Sequence, residues 1–166
     1  MKYISILVLI LCLAGCSTQE VLVAKSAAVP DGVDFSGQWR LRVADEEPIR
    51  RQSRPKKGGS VHVFLEKGSN LKITQTEFGI FVSFDRAIVE EYRFGEYRRV
   101  NVGPIVASRV SGWEGDTYVI ETLDEDGEKL IEKYRLEDNN SRLVRQIGIW
   151  FKDTRTTHIE QIFDRV

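Results

Sequence analysis

The sequence predicts an all-β fold, an antiparallel meander of roughly 8–10 strands closed into a barrel. Short segments of alternating apolar and polar residues follow one another along most of the chain, and turn-forming residues separate them. No helical period extends beyond about one turn. Short strands joined by tight turns, without a crossover helix, favour an antiparallel meander over a parallel sheet. A β-sandwich is the alternative.

Residues 1–15 have the features of a signal peptide. Lys2 gives a positive start, and the apolar run from Tyr3 to Leu13 is too short to span a bilayer comfortably. Residues 13–16, Leu-Ala-Gly-Cys, resemble a bacterial lipobox. This resemblance implies cleavage before Cys16, a diacylglyceryl thioether on its sulfur and acylation of the new N-terminus, and two or more acyl chains give stable membrane anchoring. The alternative is an ordinary secretory peptide.

The cysteine content and the charge of the chain are consistent with a location in the cell envelope. Ser17, rather than Asp, after the lipobox is similar to lipoproteins passed to the outer membrane, so we expect an outer-membrane anchor and a periplasm-facing domain. Cys12 lies in the leader and Cys16 carries lipid, which leaves no thiol for a disulfide, metal or nucleophile. Loss of the leader removes one base, Lys2, and no acid, so the formal charge changes from −1 to −2. This near-neutral balance gives no indication of nucleic-acid binding.

Residues 16–33 are predicted to form the lipidated N-terminus and a tether, and residues 34–166 the barrel domain. The tether contains scattered Ala, Val and Ser and ends near a Pro-Asp-Gly turn signal at residues 30–32. As a flexible coil it reaches on the order of 20–25 Å. The domain is therefore expected to turn freely near the membrane.

The first barrel strand begins with a Gly-x-Trp motif. Trp39, Leu41 and Val43 alternate on one face, and Gly37 permits the close approach that the indole requires. Together with a basic residue near the end of the last strand, Arg165, the motif resembles the calycin superfamily of lipocalin-like barrels. The resemblance covers residues 34–166 and implies that Gly37, Trp39 and Arg165 close one end of the barrel. A Trp that starts a β-sandwich strand is the alternative.

A long insertion, from Asp45 to Gly59, follows this strand. Five of the eight residues from Arg50 to Lys57 are basic. The segment is predicted to bind anionic lipid headgroups or an acidic envelope partner, since a periplasmic address excludes nucleic acid. A solvated loop whose charge only aids solubility is the alternative.

The later strands are punctuated by turn residues. The clearest pair is the hairpin of residues 71–75 and 80–84, in which Phe81 points outward, and residues 61–65 are predicted to form a short strand. Further strands are predicted at residues 88–92, 96–102, 105–113, 117–120, 130–136, 142–151 and 156–165.

The sequence does not indicate catalytic or cofactor chemistry. His62 and His158 lie far apart on predicted strands, without the spaced ligands of a metal site. Gly-x-Ser-x-Gly, phosphate-loop and Gly-x-Gly-x-x-Gly motifs are absent from the sequence, and the acidic run at residues 124–126 is expected at a hairpin tip. We therefore predict a protein that is not an enzyme and that has no metal or cofactor.

Three charged residues are predicted to lie inside the barrel. A two-residue turn at residues 114–115, a three-residue turn at 125–127 and a short turn near 138–139 bring Arg109, Glu132 and Arg145 to one level of one face. A buried charge must be paired or meet a polar ligand group. If the register is off by one residue, these charges face water instead. The same face carries Trp113, Tyr118, Tyr134, Leu136, Leu143 and Ile147.

Binding of a small apolar or anionic amphipathic ligand is the predicted function. Two Arg and one Glu leave a surplus positive charge, which favours a carboxylate or phosphate, as in a fatty acid. Such a site requires a cavity of at least about 300 Å³. The alternative is an envelope interaction protein with a packed barrel, which docks a protein or lipid headgroups on its outer surface. The predicted ligand-binding residues are Arg109, Trp113, Tyr118, Glu132, Tyr134 and Arg145.

Overall fold

The computed structural model describes residues 20–46, of which 43–46 by backbone alone, and residues 61–166. The predicted lipidation at Cys16 and most of the basic insertion, including Arg50 to Lys57, lie outside these residues. Within them the chain forms ten strands and a short 3₁₀ helix, Val61–Phe64. The strands are β1 (Gly37–Glu46), β2 (Asn70–Gln75), β3 (Gly79–Phe84), β4 (Ile88–Arg93), β5 (Glu96–Val102), β6 (Ile105–Glu114), β7 (Thr117–Asp124), β8 (Glu128–Glu137), β9 (Arg142–Phe151) and β10 (Thr154–Arg165).

All ten strands belong to one antiparallel sheet that curls into a nearly closed barrel. Its order is β4-β3-β2-β1-β10-β9-β8-β7-β6-β5, so consecutive strands pair except β4 with β5, and β1 pairs with β10. The predicted all-β antiparallel meander barrel of 8–10 strands is confirmed. β4 and β5 form the two edges of the sheet, and no ladder pair joins them in the described part of the chain.

Side chains bridge the two edge strands, which keeps their unpaired backbone groups from being fully exposed. Arg98 on β5 donates to the carbonyl of Glu91 on β4 at 2.5 Å. On the neighbouring strand β6, the Ser111 hydroxyl donates to the carbonyl of Arg93 at 2.7 Å. The barrel therefore closes by side-chain contacts where the ladder stops.

Trp39 and Arg165 lie together at one end of the barrel, which we call the Trp39 end. The indole is 1% exposed and donates to the Phe35 carbonyl at 2.9 Å. The Arg165 guanidinium lies 4.2 Å from the centre of the indole and donates to the Ser36 carbonyl at 2.6 Å. A Cβ atom at Gly37 would lie 2.8 Å from Arg165 Nη1, so the motif requires glycine here.

The 3₁₀ helix covers the opposite end, which we call the far end. Residues 61–65 are therefore not the predicted strand. Val61 and Phe64 are both buried, and their spacing of three residues places them on one side of a 3₁₀ helix. They pack against Leu130, Ile147 and neighbouring apolar residues inside the far end. Because β1 and β2 are already paired with neighbours, this apolar segment covers the opening instead of extending the sheet.

The N-terminal residues 20–28, which we call the strap, lie against the outer wall of β6 and β7. Leu22 is buried with Val110 and Leu123, which face outward from the barrel. The Trp113 amide donates to the Ser26 carbonyl at 2.9 Å. This part of the predicted tether is docked on the barrel rather than free to turn.

A buried cation holds the strap in place. The Lys25 ammonium lies 2.5 Å from Glu114 Oε1 and 2.8 Å from Glu121 Oε1, and its side chain is 8% exposed. Burial alone lowers the pKa of Lys25, but the bonds to Glu114 and Glu121 outweigh it and raise that pKa above its usual value. A Cβ atom at Gly112 would lie 2.4 Å from the Ser26 carbonyl oxygen, so the strap can approach β6 this closely only over a glycine.

We predict that Trp39→Ala lowers the free energy of unfolding by about 3–5 kcal/mol, because it removes a fully buried aromatic side chain. Arg165→Ala should cost clearly less, since a guanidinium over an indole contributes roughly 0.5–2 kcal/mol. Urea denaturation measures both values. Phe81→Ala is the control, because Phe81 is a large side chain that is 41% exposed. An Arg165→Ala loss equal to that of Trp39→Ala would contradict this account of the Trp39 end.

Candidate functional site

Six polar side chains form a layer across the interior of the barrel, between an apolar cluster at the Trp39 end and one at the far end. Strand alternation places them inside, as with Arg145, which lies between the buried Leu143 and Ile147 on β9. We call this set the polar layer. Its members are Glu90, Arg109, Thr122, Glu132, Arg145 and Gln161.

Arg145 lies at the centre of the polar layer and is 0% exposed. Its Nε donates to Glu132 Oε2 at 3.1 Å, and its Nη2 contacts the same oxygen. Nη1 donates to Gln161 Oε1 at 3.0 Å, and Nη2 also donates to the Glu66 carbonyl at 2.8 Å. The guanidinium is therefore bound on all three nitrogens by the protein itself.

Aromatic rings cover this ion pair and keep water away from it. The Arg145 guanidinium carbon lies 5.1 Å from the Phe84 ring centre and 5.4 Å from that of Tyr134. The Tyr134 hydroxyl donates to Glu132 Oε2 at 3.1 Å, and burial raises the pKa of Tyr134 well above its usual value. Burial alone would lower the pKa of Arg145, but Tyr134 and Glu132 outweigh it and raise that pKa. Arg145 stays charged and Tyr134 neutral at physiological pH.

Arg109 forms a second centre toward the gap between β4 and β5. Its Nε donates to the Thr122 hydroxyl at 3.0 Å and its Nη1 to Glu90 Oε2 at 3.2 Å. The rings of Phe64 and Tyr92 lie 5.7 and 5.3 Å from its guanidinium carbon. Arg109 therefore links the 3₁₀ helix, β4 and β7 from the interior.

Strand register differs from the prediction at two of the three turns. Arg109 pairs with Thr122 rather than Ile120, and Glu132 pairs with Ile147 rather than Arg145, while the predicted pairing of Ile120 with Glu132 is correct. Each error is two residues, because moving the centre of a hairpin by one residue shifts the pairing by two. A shift of two preserves the face of every side chain. Arg109, Glu132 and Arg145 are accordingly all buried.

The predicted surplus of positive charge is absent. Glu90 pairs with Arg109 while Glu132 pairs with Arg145, so each interior cation has its own carboxylate. Burial and the nearby charge of Glu90 raise the pKa of Glu66, while Arg145 lowers it. With two arginines and two glutamates, the polar layer is formally neutral rather than basic.

Three polar atoms of fully buried residues have no hydrogen-bond partner in the described part of the chain: Trp113 Nε1, Tyr118 Oη and Glu132 Oε1. Three further buried atoms without a hydrogen bond, Glu96 Oε2, Glu128 Oε2 and Arg142 Nε, belong to residues that are partly exposed. They lie on β6, β7 and β8, where Trp113 pairs with Tyr118 and Tyr118 with Tyr134. The Tyr118 hydroxyl lies near Ser111, but without the geometry of a hydrogen bond, and the Ser111 hydroxyl donates to the Arg93 carbonyl instead. The fully buried side chains therefore present two donors and one acceptor that the described residues do not satisfy.

Two pockets, of about 350 and 360 Å³, lie on the outer surface near the Trp39 end. Arg40 and Val166 line both of them, and Lys72, Asp85 and Asp164 are among the other lining residues. Neither pocket includes any of the six predicted ligand-binding residues. Of those six, Tyr134, Glu132 and Arg145 contact one another, whereas Trp113 and Tyr118 pack in the cluster at the Trp39 end.

Sequence reasoning missed Glu90, Gln161 and Thr122. Alternation was sufficient to find two of them, because Glu90 lies two residues before the buried Tyr92, and Gln161 two residues before the buried Phe163. Thr122 was missed because the predicted strand ends at residue 120, whereas β7 continues to Asp124.

The described ranges, 20–46 and 61–166, contain no group of three or more His, Cys, Asp or Glu side chains placed to hold a metal ion. None of the helices in those ranges is long and apolar enough to cross a membrane.

Comparison with known proteins identifies the fold. No protein-family model matches the chain, and no curated protein sequence does. Among solved structures, the apo form of lipid binding protein 8 from Caenorhabditis elegans is similar, with a TM-score of 0.53, 12% identity, and coverage of 80% of this chain and 95% of the other. The REP1-NXSQ fatty acid transporter has a TM-score of 0.53 and 13% identity, with coverage of 80% of this chain and 96% of the other. Zebrafish ileal bile acid-binding protein complexed with cholic acid has a TM-score of 0.52 and 12% identity, with coverage of 80% of this chain and 98% of the other. The chain therefore has the fold of these lipocalin-like barrels.

We predict that Arg145→Met destabilises the protein by about 3–5 kcal/mol, because it leaves Glu132 as an unpaired buried charge. Adding Glu132→Leu should restore much of this loss, since an apolar pair can replace a buried ion pair. Urea denaturation followed by tryptophan fluorescence measures both variants. Arg40→Met is the control, because Arg40 is exposed on β1. A double variant no more stable than Arg145→Met would contradict the proposed pairing.

Proposed function

We propose that this protein is a non-enzymatic binding barrel of the bacterial cell envelope that holds a small amphipathic molecule inside the barrel. Lipid on Cys16 anchors it to the outer membrane, with the barrel on the periplasmic side. The observation that carries the proposal is the set of three buried polar atoms without partners, Trp113 Nε1, Tyr118 Oη and Glu132 Oε1.

Leaving these atoms unpaired is energetically unfavourable. A buried polar group without a hydrogen bond costs about 1–3 kcal/mol, and a charged one more. Native proteins leave few such groups, and each requires an explanation. A bound molecule with polar groups of its own supplies the missing partners. The aromatic rings around Trp113 and Tyr118 supply apolar surface next to them.

The proteins with similar barrel structures also support a ligand-binding function. One is a fatty acid transporter, one is a lipid binding protein, and one is a bile acid-binding protein complexed with cholic acid. Their shared fold supports, for this chain, a ligand that combines an apolar body with a polar end.

The strap supports an orientation for the anchored protein. Three residues separate Cys16 from Glu20, so the chain between them spans at most about 14 Å. Glu20 pairs with Lys129 at the start of β8, near the far end of the barrel. β1 ends at Glu46 and the described chain resumes at Val61, also at this end. An anchor at Cys16 would thus hold the far end of the barrel close to the membrane.

The packed-barrel alternative has a specific observation in its favour. Both interior arginines are bonded to carboxylates of the protein, and the two described pockets lie on the outer surface. In that case, water satisfies the unpaired interior atoms, and the protein acts by docking a protein or lipid headgroups on its outer surface.

Native mass spectrometry of the protein purified from its own envelope separates these two functions. We expect a small molecule bound at one copy per chain, released on unfolding. Tyr118→Phe is the matched variant, because it removes one unpaired hydroxyl and leaves the ring in place. Reduced occupancy in this variant supports a site inside the barrel. A folded protein that consistently carries no small molecule would support the packed barrel instead.

We predict that Cys16→Ser leaves the barrel folded but releases it from membranes into the soluble periplasmic fraction, because the thioether cannot form. Cell fractionation with a high-salt wash measures this, since salt removes proteins held only by charge. Ser17→Ala, which keeps the cysteine, should remain with the membranes. Persistence of Cys16→Ser in salt-washed membranes would show that the anchor lies elsewhere.

A further inference from the structure

We infer that the molecule held in this barrel has a neutral, hydroxyl-bearing polar end that contacts Glu132 and Tyr118, and that the barrel discriminates against carboxylates. This inference rests on the proposed function and names the chemical class of its ligand. It replaces the anionic ligand that the sequence predicts.

The interior arginines are not available as an anion site. Glu132, Gln161 and the Glu66 carbonyl occupy all three nitrogens of Arg145, and aromatic rings cover the guanidinium. Arg109 is bonded to Glu90 and Thr122. To form the bidentate contact that arginine prefers, a ligand carboxylate would have to displace the buried Glu132 from Arg145 or the partly exposed Glu90 from Arg109.

Charge in the polar layer also opposes a second anion. Two arginines face Glu90 and Glu132, so the layer is formally neutral without a ligand. A net charge at a desolvated site costs free energy, which screening by water does not relieve there. A ligand carboxylate would therefore add an uncompensated negative charge to a layer that is already neutral.

The unpaired atoms match the hydrogen-bonding pattern of an alcohol. Glu132 Oε1 requires a donor, whereas the Tyr118 hydroxyl and Trp113 Nε1 can donate. An aliphatic hydroxyl donates one hydrogen and accepts others, so a single group can serve both needs. An ionised carboxylate accepts only and would leave Glu132 Oε1 unpaired.

Three compounds with the same twelve-carbon chain separate the polar end from the apolar body: 1-monolauroylglycerol, laurate and methyl laurate. Each is titrated at neutral pH into the stripped, full-length chain carrying Cys16→Ser, with tryptophan fluorescence and calorimetry as readouts. We expect monolauroylglycerol to bind at least about tenfold more tightly than laurate, because a mismatched hydrogen bond or charge changes affinity by this order. Methyl laurate, which cannot donate to Glu132, should bind between the two.

Two variants assign the preference to Glu132 and Tyr118. Glu132→Gln removes one negative charge and should reduce or invert the preference for monolauroylglycerol over laurate. Tyr118→Phe should weaken the binding of monolauroylglycerol by at least about threefold, and it provides the test if Glu132→Gln fails to fold. Tighter binding of laurate than of monolauroylglycerol by the parent protein would overturn the inference and leave the binding function intact. Absence of binding by all three compounds would contradict the binding function itself.

Discussion

The arrangement of the barrel interior depends on one buried charge that has no access to water. Arg145 is fully buried on β9, and an unpaired ion at such a site would cost several kcal/mol. Its partners come from β8, from β10 and from the backbone that follows the 3₁₀ helix, namely Glu132, Gln161 and the Glu66 carbonyl. The same set of bonds therefore fixes three neighbouring strands and the segment at the far end relative to one another. Aromatic rings complete the enclosure and strengthen the charge interactions by excluding water.

Much of this arrangement follows from the two-residue period of a strand. Alternation identified Arg109, Glu132 and Arg145 as inward-facing, even though the pairing of Arg109 and of Glu132 was misplaced by two residues. Where a strand has no bulge, face depends only on whether the residue number is odd or even, whereas pairing depends on the exact centre of each turn. Gly115 and Asp116 form the two-residue turn between β6 and β7, one position later than expected. Alternation along a strand therefore predicts which side chains are buried more reliably than it predicts which residues pair across neighbouring strands.

Contacts between residues far apart in the sequence form only when the barrel closes, and local sequence patterns do not predict them. Glu90 meets Arg109 across the gap between β4 and β5, where the ladder is absent from the described chain and local pairing gives no guidance. The strap presents the same difficulty. Leu22 and Lys25 have no periodic pattern that marks them as buried, yet the outward-facing Val110 and Leu123 need a cover. Gly112 is the one residue of β6 whose type reflects the close approach of the strap, but the sequence alone does not distinguish it from an ordinary glycine in a strand.

The missed contacts change the predicted charge of the interior more than they change the predicted fold. With Arg109, Glu132 and Arg145 alone, the interior is cationic and resembles a site for acids. One further side chain, Glu90, reverses that conclusion, because it neutralises Arg109 within the protein. The selectivity of a buried polar site is set by the charge that remains after internal pairing, and not by the number of arginines that line it. Among the fully buried side chains that the structure describes, the groups left without partners are one carboxylate oxygen, one phenol and one indole N–H. Their hydrogen-bonding capacity favours an uncharged polar group over an acid.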